Sequence, residues 1–121
     1  MISRLLVANR GEIARRVFAT CRRLGVSTVA VYTDPDADAP HVAEADVRVH
    51  LPGVRGYLDV DAILAAARTA GADAVHPGYG FLSENAEFAT AVTAAGLTWI
   101  GPPPEAVRAM GSKIESKKMM A

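Results

Sequence analysis

Three times along this chain a stretch with helical apolar spacing ends at a glycine and gives way to a short aliphatic run. Gly25 precedes Thr28-Val29-Ala30-Val31-Tyr32, Gly71 precedes Ala74-Val75-His76, and Gly96 precedes Leu97-Thr98-Trp99-Ile100. Glycine accepts the left-handed backbone that ends a helix, and a run that is apolar throughout suits a strand covered on both faces. Consecutive strands joined by helices run parallel, because the crossover carries the chain back to the end where it began. The pattern therefore predicts an α/β fold, an open parallel sheet with helices on both faces.

The segments between the glycines fill in this plan. Leu5-Leu6-Val7-Ala8 reads as a first strand, ending in the turn Asn9-Arg10-Gly11. From Glu12 to Leu24 the residues Ile13, Ala14, Val17, Phe18, Cys21 and Leu24 share one helical face, with Arg15, Arg16, Arg22 and Arg23 opposite. Asp34 to Asp38 reads as a turn and loop, Asp46 to Leu51 as a strand, and Asp59 to Ala70 as a helix burying Val60, Ile63, Leu64 and Ala67. Ser83 is the expected cap of a helix that turns Phe88, Ala89, Val92 and Ala95 inward.

At 121 residues there is room for one core, and it is placed in residues 1–110. Gly101-Pro102-Pro103-Pro104 stops the sheet, since proline lacks the donor a ladder needs, and a short helix through Ala106, Val107 and Met110 is expected next. Ser112 and Glu115 have capping-box spacing, so residues 111–121 read as the start of a following segment. The chain then ends inside an element, which reads as truncation of a longer protein.

Thirteen basic residues balance thirteen acidic ones, which removes the electrostatic footprint of nucleic-acid or membrane-surface binding. Cys21 is the only cysteine, so an internal disulfide and a thiolate metal cage are excluded, and its place on the apolar helix face makes it core packing. No window reaches membrane-spanning length and the start lacks an export signal; a reducing cytoplasm is the expected compartment.

The first turn invites a dinucleotide reading, with Asp34 near the end of the second strand, but Gly11 stands alone where three glycines are needed. Glu12 would also set a carboxylate where a pyrophosphate should lie. The four arginines of the first helix, with no acid four residues on, read either as a solvated face or as a subunit contact. His76-Pro77-Gly78-Tyr79-Gly80-Phe81-Leu82-Ser83-Glu84-Asn85 is the most informative stretch. It leaves the end of a strand, where ligands bind in open α/β sheets, and its glycines and proline impose a tight backbone on Tyr79 and Phe81, with Glu84 expected in the first helical turn. The plainer alternative is a rigid turn with Phe81 packed inward, and for His76 a local hydrogen bond. Lys113 follows Met110-Gly111-Ser112 at a helix start, where a cation opposes the dipole; it is either tolerated there or contacts phosphate.

Leu6-Val7-Ala8-Asn9-Arg10-Gly11-Glu12-Ile13-Ala14, His76 to Asn85, Ile100-Gly101-Pro102 and Met110-Gly111-Ser112-Lys113 together closely resemble the opening of biotin carboxylases, essentially end to end. The stretch from His76, in register with the other three, is highly specific for biotin-dependent carboxylases, which include the acyl-CoA and pyruvate carboxylases. The resemblance implies a Rossmann-like domain that precedes an ATP-grasp part and a carboxyl-terminal part, with only the first present. In that family ATP, with Mg2+ or Mn2+, activates bicarbonate as carboxyphosphate to carboxylate biotin on a carrier domain, and a carboxyltransferase uses the product.

By position, the resemblance makes Lys113 an ATP contact, and Tyr79, Gly80, Phe81 and Glu84 the loop on the biotin and bicarbonate side. It places Arg16 in a dimer contact of the parent. It also implies that no catalytic residue and no metal ligand lies in this chain, which is expected to be inactive by itself, to bind no cofactor and not to dimerise. An ATP-grasp ligase of the carbamoyl-phosphate synthetase type and a non-catalytic assembly module are the two competing readings. The final carboxyl acceptor is not readable from these residues.

Overall fold

The structure is a computed structural model that describes residues 2–102. Its elements run β1 (Arg4–Val7), α1 (Gly11–Leu24), β2 (Ser27–Tyr32), α2 (Pro40–Glu44), β3 (Val47–His50), α3 (Val60–Ala70), β4 (Ala74–His76), α4 (Ala86–Ala94) and β5 (Thr98–Trp99), with single 3-10 turns at Asp34–Asp36 and Gly56–Leu58. The five strands form one sheet in the order β3-β2-β1-β4-β5, and every pairing is parallel. This is the doubly wound arrangement that the glycine rhythm predicts.

Side chains alternate along each strand, so β1 feeds two layers. Leu5 and Val7 pack with Ala30 and Ala74 against Ala14, Phe18 and Cys21 of α1. Leu6 and Ala8 pack with Val29, Val31 and Val75 against Ile63 and Ala67 of α3 and Phe88 and Val92 of α4. Phe18 and Phe88, fully buried on opposite faces, each contribute on the order of 1.5–3 kcal/mol. Gly25 and Gly71 end α1 and α3 in the left-handed conformation, at φ 73° and 70°.

Local expectations differ from the structure in several places. Leu24, expected on the apolar face of α1, is 73% exposed, and Ala95, expected to turn inward, is exposed just past the end of α4. The loop after β2 holds the five-residue helix α2, started by Pro40 at its first position and anchored by buried His41 and Val42. The third strand is Val47–His50 and not Asp46–Leu51, because the Asp46 carboxylate turns back to accept from the Thr28 backbone N–H (2.9 Å) and hydroxyl (3.1 Å). The last strand is Thr98–Trp99, shorter than Leu97–Ile100. The cap of α4 is Asn85, whose side chain accepts from Phe88 N–H at 3.0 Å, so Ser83 and Glu84 stand in the preceding turn and not at the helix start.

Chain direction across the sheet reverses at β1: β2 and β3 lie to one side, β4 and β5 to the other. In open α/β sheets ligands sit beyond the C-terminal ends of the strands at such a reversal. Here the residues after His76 close onto Asn9, and the open space lies on their other side, toward Ile100, Gly101 and Pro102.

Candidate functional site

The turn after β4 is fastened to the turn after β1. Asn9 is 2% exposed and donates its amide N–H groups to the carbonyls of Pro77 (3.1 Å) and Tyr79 (2.6 Å), while its Oδ1 accepts the Arg10 N–H at 2.8 Å. Gly78 at φ 69° passes so close that an added Cβ would stand 2.7 Å from the Asn9 Cβ. Only glycine meets both demands, the left-handed backbone and the contact. His76 tightens the same turn from its start: its Nδ1 lies 2.9 Å from the Gly78 nitrogen and accepts that N–H. Accepting that bond fixes the neutral tautomer with hydrogen on Nε2, and burial lowers the histidine's pKa, favouring the same form.

Farther along, the backbone turns twice more, with Ser83 N–H on Gly80 C=O (2.9 Å) and Asn85 N–H on Leu82 C=O (3.0 Å). Leu82 is the residue that enters the core, at 4% exposure, and Tyr79 stands out at 77%. Phe81, half-exposed and with φ 49°, rests on the ring of Tyr57, centroids 5.2 Å apart. It is therefore not packed inward.

Beside this turn lies a cavity of about 420 Å³, with His76, Gly78, Tyr79, Ser83 and Glu84 on one side and Ile100 to Pro102 on the other. Of the residues predicted for the site, the cavity brings Tyr79 and Glu84 together, whereas Gly80 and Phe81 are not part of its lining. Lys113 falls outside the described residues. Among the described residues no group of three or more His, Cys, Asp or Glu is placed to hold a metal ion. The cavity lining thus includes an aromatic residue, a glutamate and a histidine.

The arginine face is less open than its sequence spacing suggests. Glu12, three and four residues earlier, lies 3.7 Å from Arg15 and 3.4 Å from Arg16, and Glu44 of α2 lies 2.9 Å from Arg15. The acids come from the N-terminal side of the helix and from another helix, where an i+4 search does not look. Arg16, with a side chain 80% exposed, remains available to solvent.

A second polar cluster has no counterpart among the sequence expectations. Arg10 Nε and Nη2 donate to the two oxygens of Asp36 at 2.6 and 2.7 Å, and the Tyr57 hydroxyl donates to Asp36 Oδ2 at 2.7 Å. The Arg10 guanidinium and the Tyr57 hydroxyl hold buried Asp36 at about 2, against the desolvation that would raise it. Burial and that carboxylate push Tyr57 up to about 12. Neither this cluster nor the Asn9 staple has a local sequence signature, because each joins residues brought together only by the sheet.

Comparison with known proteins agrees with the fold. The family model described as biotin carboxylase, N-terminal domain, matches residues 1–107. Over 98% of its length the chain is 53% identical to the propionyl-CoA carboxylase alpha chain of Ruegeria pomeroyi, and over 99% it is 48% identical to the biotin carboxylase of Haemophilus influenzae. It spans only 18% and 28% of those two proteins. Among solved structures, a single-chain, multi-domain long-chain acyl-CoA carboxylase superposes with a TM-score of 0.89 at 50% identity, over 96% of this chain and 12% of that one. No described helix is long and apolar enough to cross a membrane.

Proposed function

The chain belongs to the biotin carboxylase N-terminal domain family, and from that premise we propose that it is the first domain of a biotin-dependent carboxylase of the acyl-CoA type. The parent couples ATP and bicarbonate to the carboxylation of biotin borne on a carrier domain, and a carboxyltransferase consumes the product. The observation that carries this reading is the turn after β4, stapled by Asn9 and presenting Tyr79 to an open cavity of about 420 Å³.

On this reading the cavity is one wall of the biotin and bicarbonate side. Tyr79 lays its ring against the biotin rings, Glu84 orients a donor group of the occupant, and Gly80 and Phe81 hold the shape of the turn. Lys113 contacts an ATP phosphate at the head of the segment 111–121, beyond the domain of residues 1–110. ATP and its Mg2+ or Mn2+ are held chiefly by parts of the parent outside this chain, and positioning and charge neutralisation there do most of the catalytic work. The chain alone is therefore inactive, and it stays monomeric while the cytoplasmic parent dimerises through a surface that includes Arg16.

The test is to join this chain to the sequence that follows it in its gene and measure bicarbonate-dependent ATP hydrolysis with free biotin. Stimulation by biotin is expected. A well-folded full-length protein that shows none removes the reading, and hydrolysis that depends on ammonia instead points to a carbamoyl-phosphate synthetase type of ligase.

A further inference from the structure

The cavity wall is held twice, and both holds start from one dipeptide. Asn9 takes the near end of the turn by the carbonyls of Pro77 and Tyr79. Arg10, its neighbour, forks onto Asp36, which takes the hydroxyl of Tyr57, whose ring carries Phe81. Asp36 and Tyr57 are both 6% exposed. A chain of well-satisfied polar groups, running from half-exposed Arg10 to buried Asp36 and Tyr57, ends on a ring that is itself 44% exposed and adds little to the core. Phe81 is also the one non-glycine with positive φ among the described residues, at 49°. Such a backbone persists only where the surroundings impose it.

We propose that Tyr57 is a positioning residue for the cavity-lining turn: its ring, fixed by Asp36 and Arg10, sets the place of Phe81 and thereby the presentation of Tyr79 and Glu84 to the occupant. The catalytic consequence rests on the function proposed above; the anchoring does not. Two segments far apart in sequence, the 3-10 turn at Gly56–Leu58 and the turn after β4, are thus one mechanical unit.

Two measurements test this separately. In the 121-residue chain, NMR of the native protein is expected to show the strong amide-to-Hα contact within Phe81 that positive φ produces. Tyr57→Leu is expected to weaken it and to move the amides of residues 79–84, leaving Leu6, Val29 and Phe88 in place. Tyr57→Phe keeps a ring but frees it from Asp36, and is expected to give a smaller change of the same kind. Should Tyr57→Leu fail to fold, Tyr57→Phe decides. Phe81 and residues 79–84 unmoved in the folded variants would overturn the proposal.

In the full-length carboxylase, Tyr57→Phe is expected to raise the KM for free biotin about 3- to 10-fold with the KM for ATP unchanged. An equal rise in both constants, or in neither, would reduce Tyr57 to a structural residue and overturn its positioning role. A native enzyme without biotin-dependent ATP hydrolysis removes the function, and the NMR measurement then decides the anchoring alone.

Discussion

Replacing Gly78 by alanine asks for two things the structure does not allow, and a companion substitution at Gly80 separates them. Both glycines have positive φ, 69° and 72°. A Cβ at Gly80 would meet nothing within 4 Å, so Gly80→Ala carries only the left-handed penalty of about 1–2 kcal/mol. At Gly78 the new Cβ would also stand 2.7 Å from Asn9 Cβ and 2.8 Å from Asn9 Cγ, atoms of a buried side chain that has nowhere to move. Asn9 must then yield its bonds to Pro77 and Tyr79, at about 1 kcal/mol each. Gly78→Ala is therefore expected to destabilise by roughly 3–4 kcal/mol, about 2 more than Gly80→Ala. Urea denaturation of the two variants, followed by far-ultraviolet circular dichroism, reads the difference directly, with unchanged m-values confirming that both unfold from the same compact state. Equal losses in the two variants would show that Asn9 does not clamp the turn.

Other consequences can be checked on the same protein. Asp36 is held at about 2 against an ordinary 3.8, so its contribution is complete above about pH 4 and is lost as the pH falls toward 2. Asp36→Asn is expected to lose about 1–2 kcal/mol near pH 7, discounted because Arg10 is half exposed, and to flatten the acid limb of the stability curve; an unchanged limb would contradict the assignment. His41 is fully buried with Nδ1 unpartnered among the described residues, and burial holds its pKa below the ordinary 6.5. The unfolded chain then binds the proton more readily, so stability falls as the pH drops below about 6.5, and His41→Leu is expected to lessen that slope in denaturation measured from pH 7 to 5. An identical slope in the variant would rule His41 out as its source. In the full-length enzyme, Lys113→Ala is expected to raise the KM for ATP while leaving the fold intact, and unchanged kinetics would return the residue to an exposed, tolerated lysine.

How much of this is readable from the sequence follows from the range of each interaction. α1, α3 and α4 are legible because apolar spacing repeats within a single helix, as with Ile13, Val17, Phe18 and Cys21. The turn after β4 is legible because its glycines, proline and aromatics are contiguous. α2 is not, since five residues are too few to set up a periodicity, and Ser83 reads as the α4 cap although Asn85, equally able to cap, lies two residues on and does so. Asn9 reads as a turn residue. Its real partners are 68 and 70 positions away, and they become neighbours only when β4 pairs with β1. The link from Arg10 to Asp36, 26 positions off, is equally invisible without the sheet, although all its members are ordinary residues in ordinary loops.

Because β1 is the middle strand, its two edges are filled at different times as the protein is made. β2 follows within a few tens of residues, so the first half can zip up early, but Val7 must wait for His76 before its other side is covered. A nascent chain that has emerged only through β3 therefore presents aliphatic β1 as the raw edge of a three-strand sheet, the kind of template that recruits other chains. The cavity wall is assembled by the very pairing that covers this edge, so the turn after β4 takes its place only when the middle of the sheet is closed.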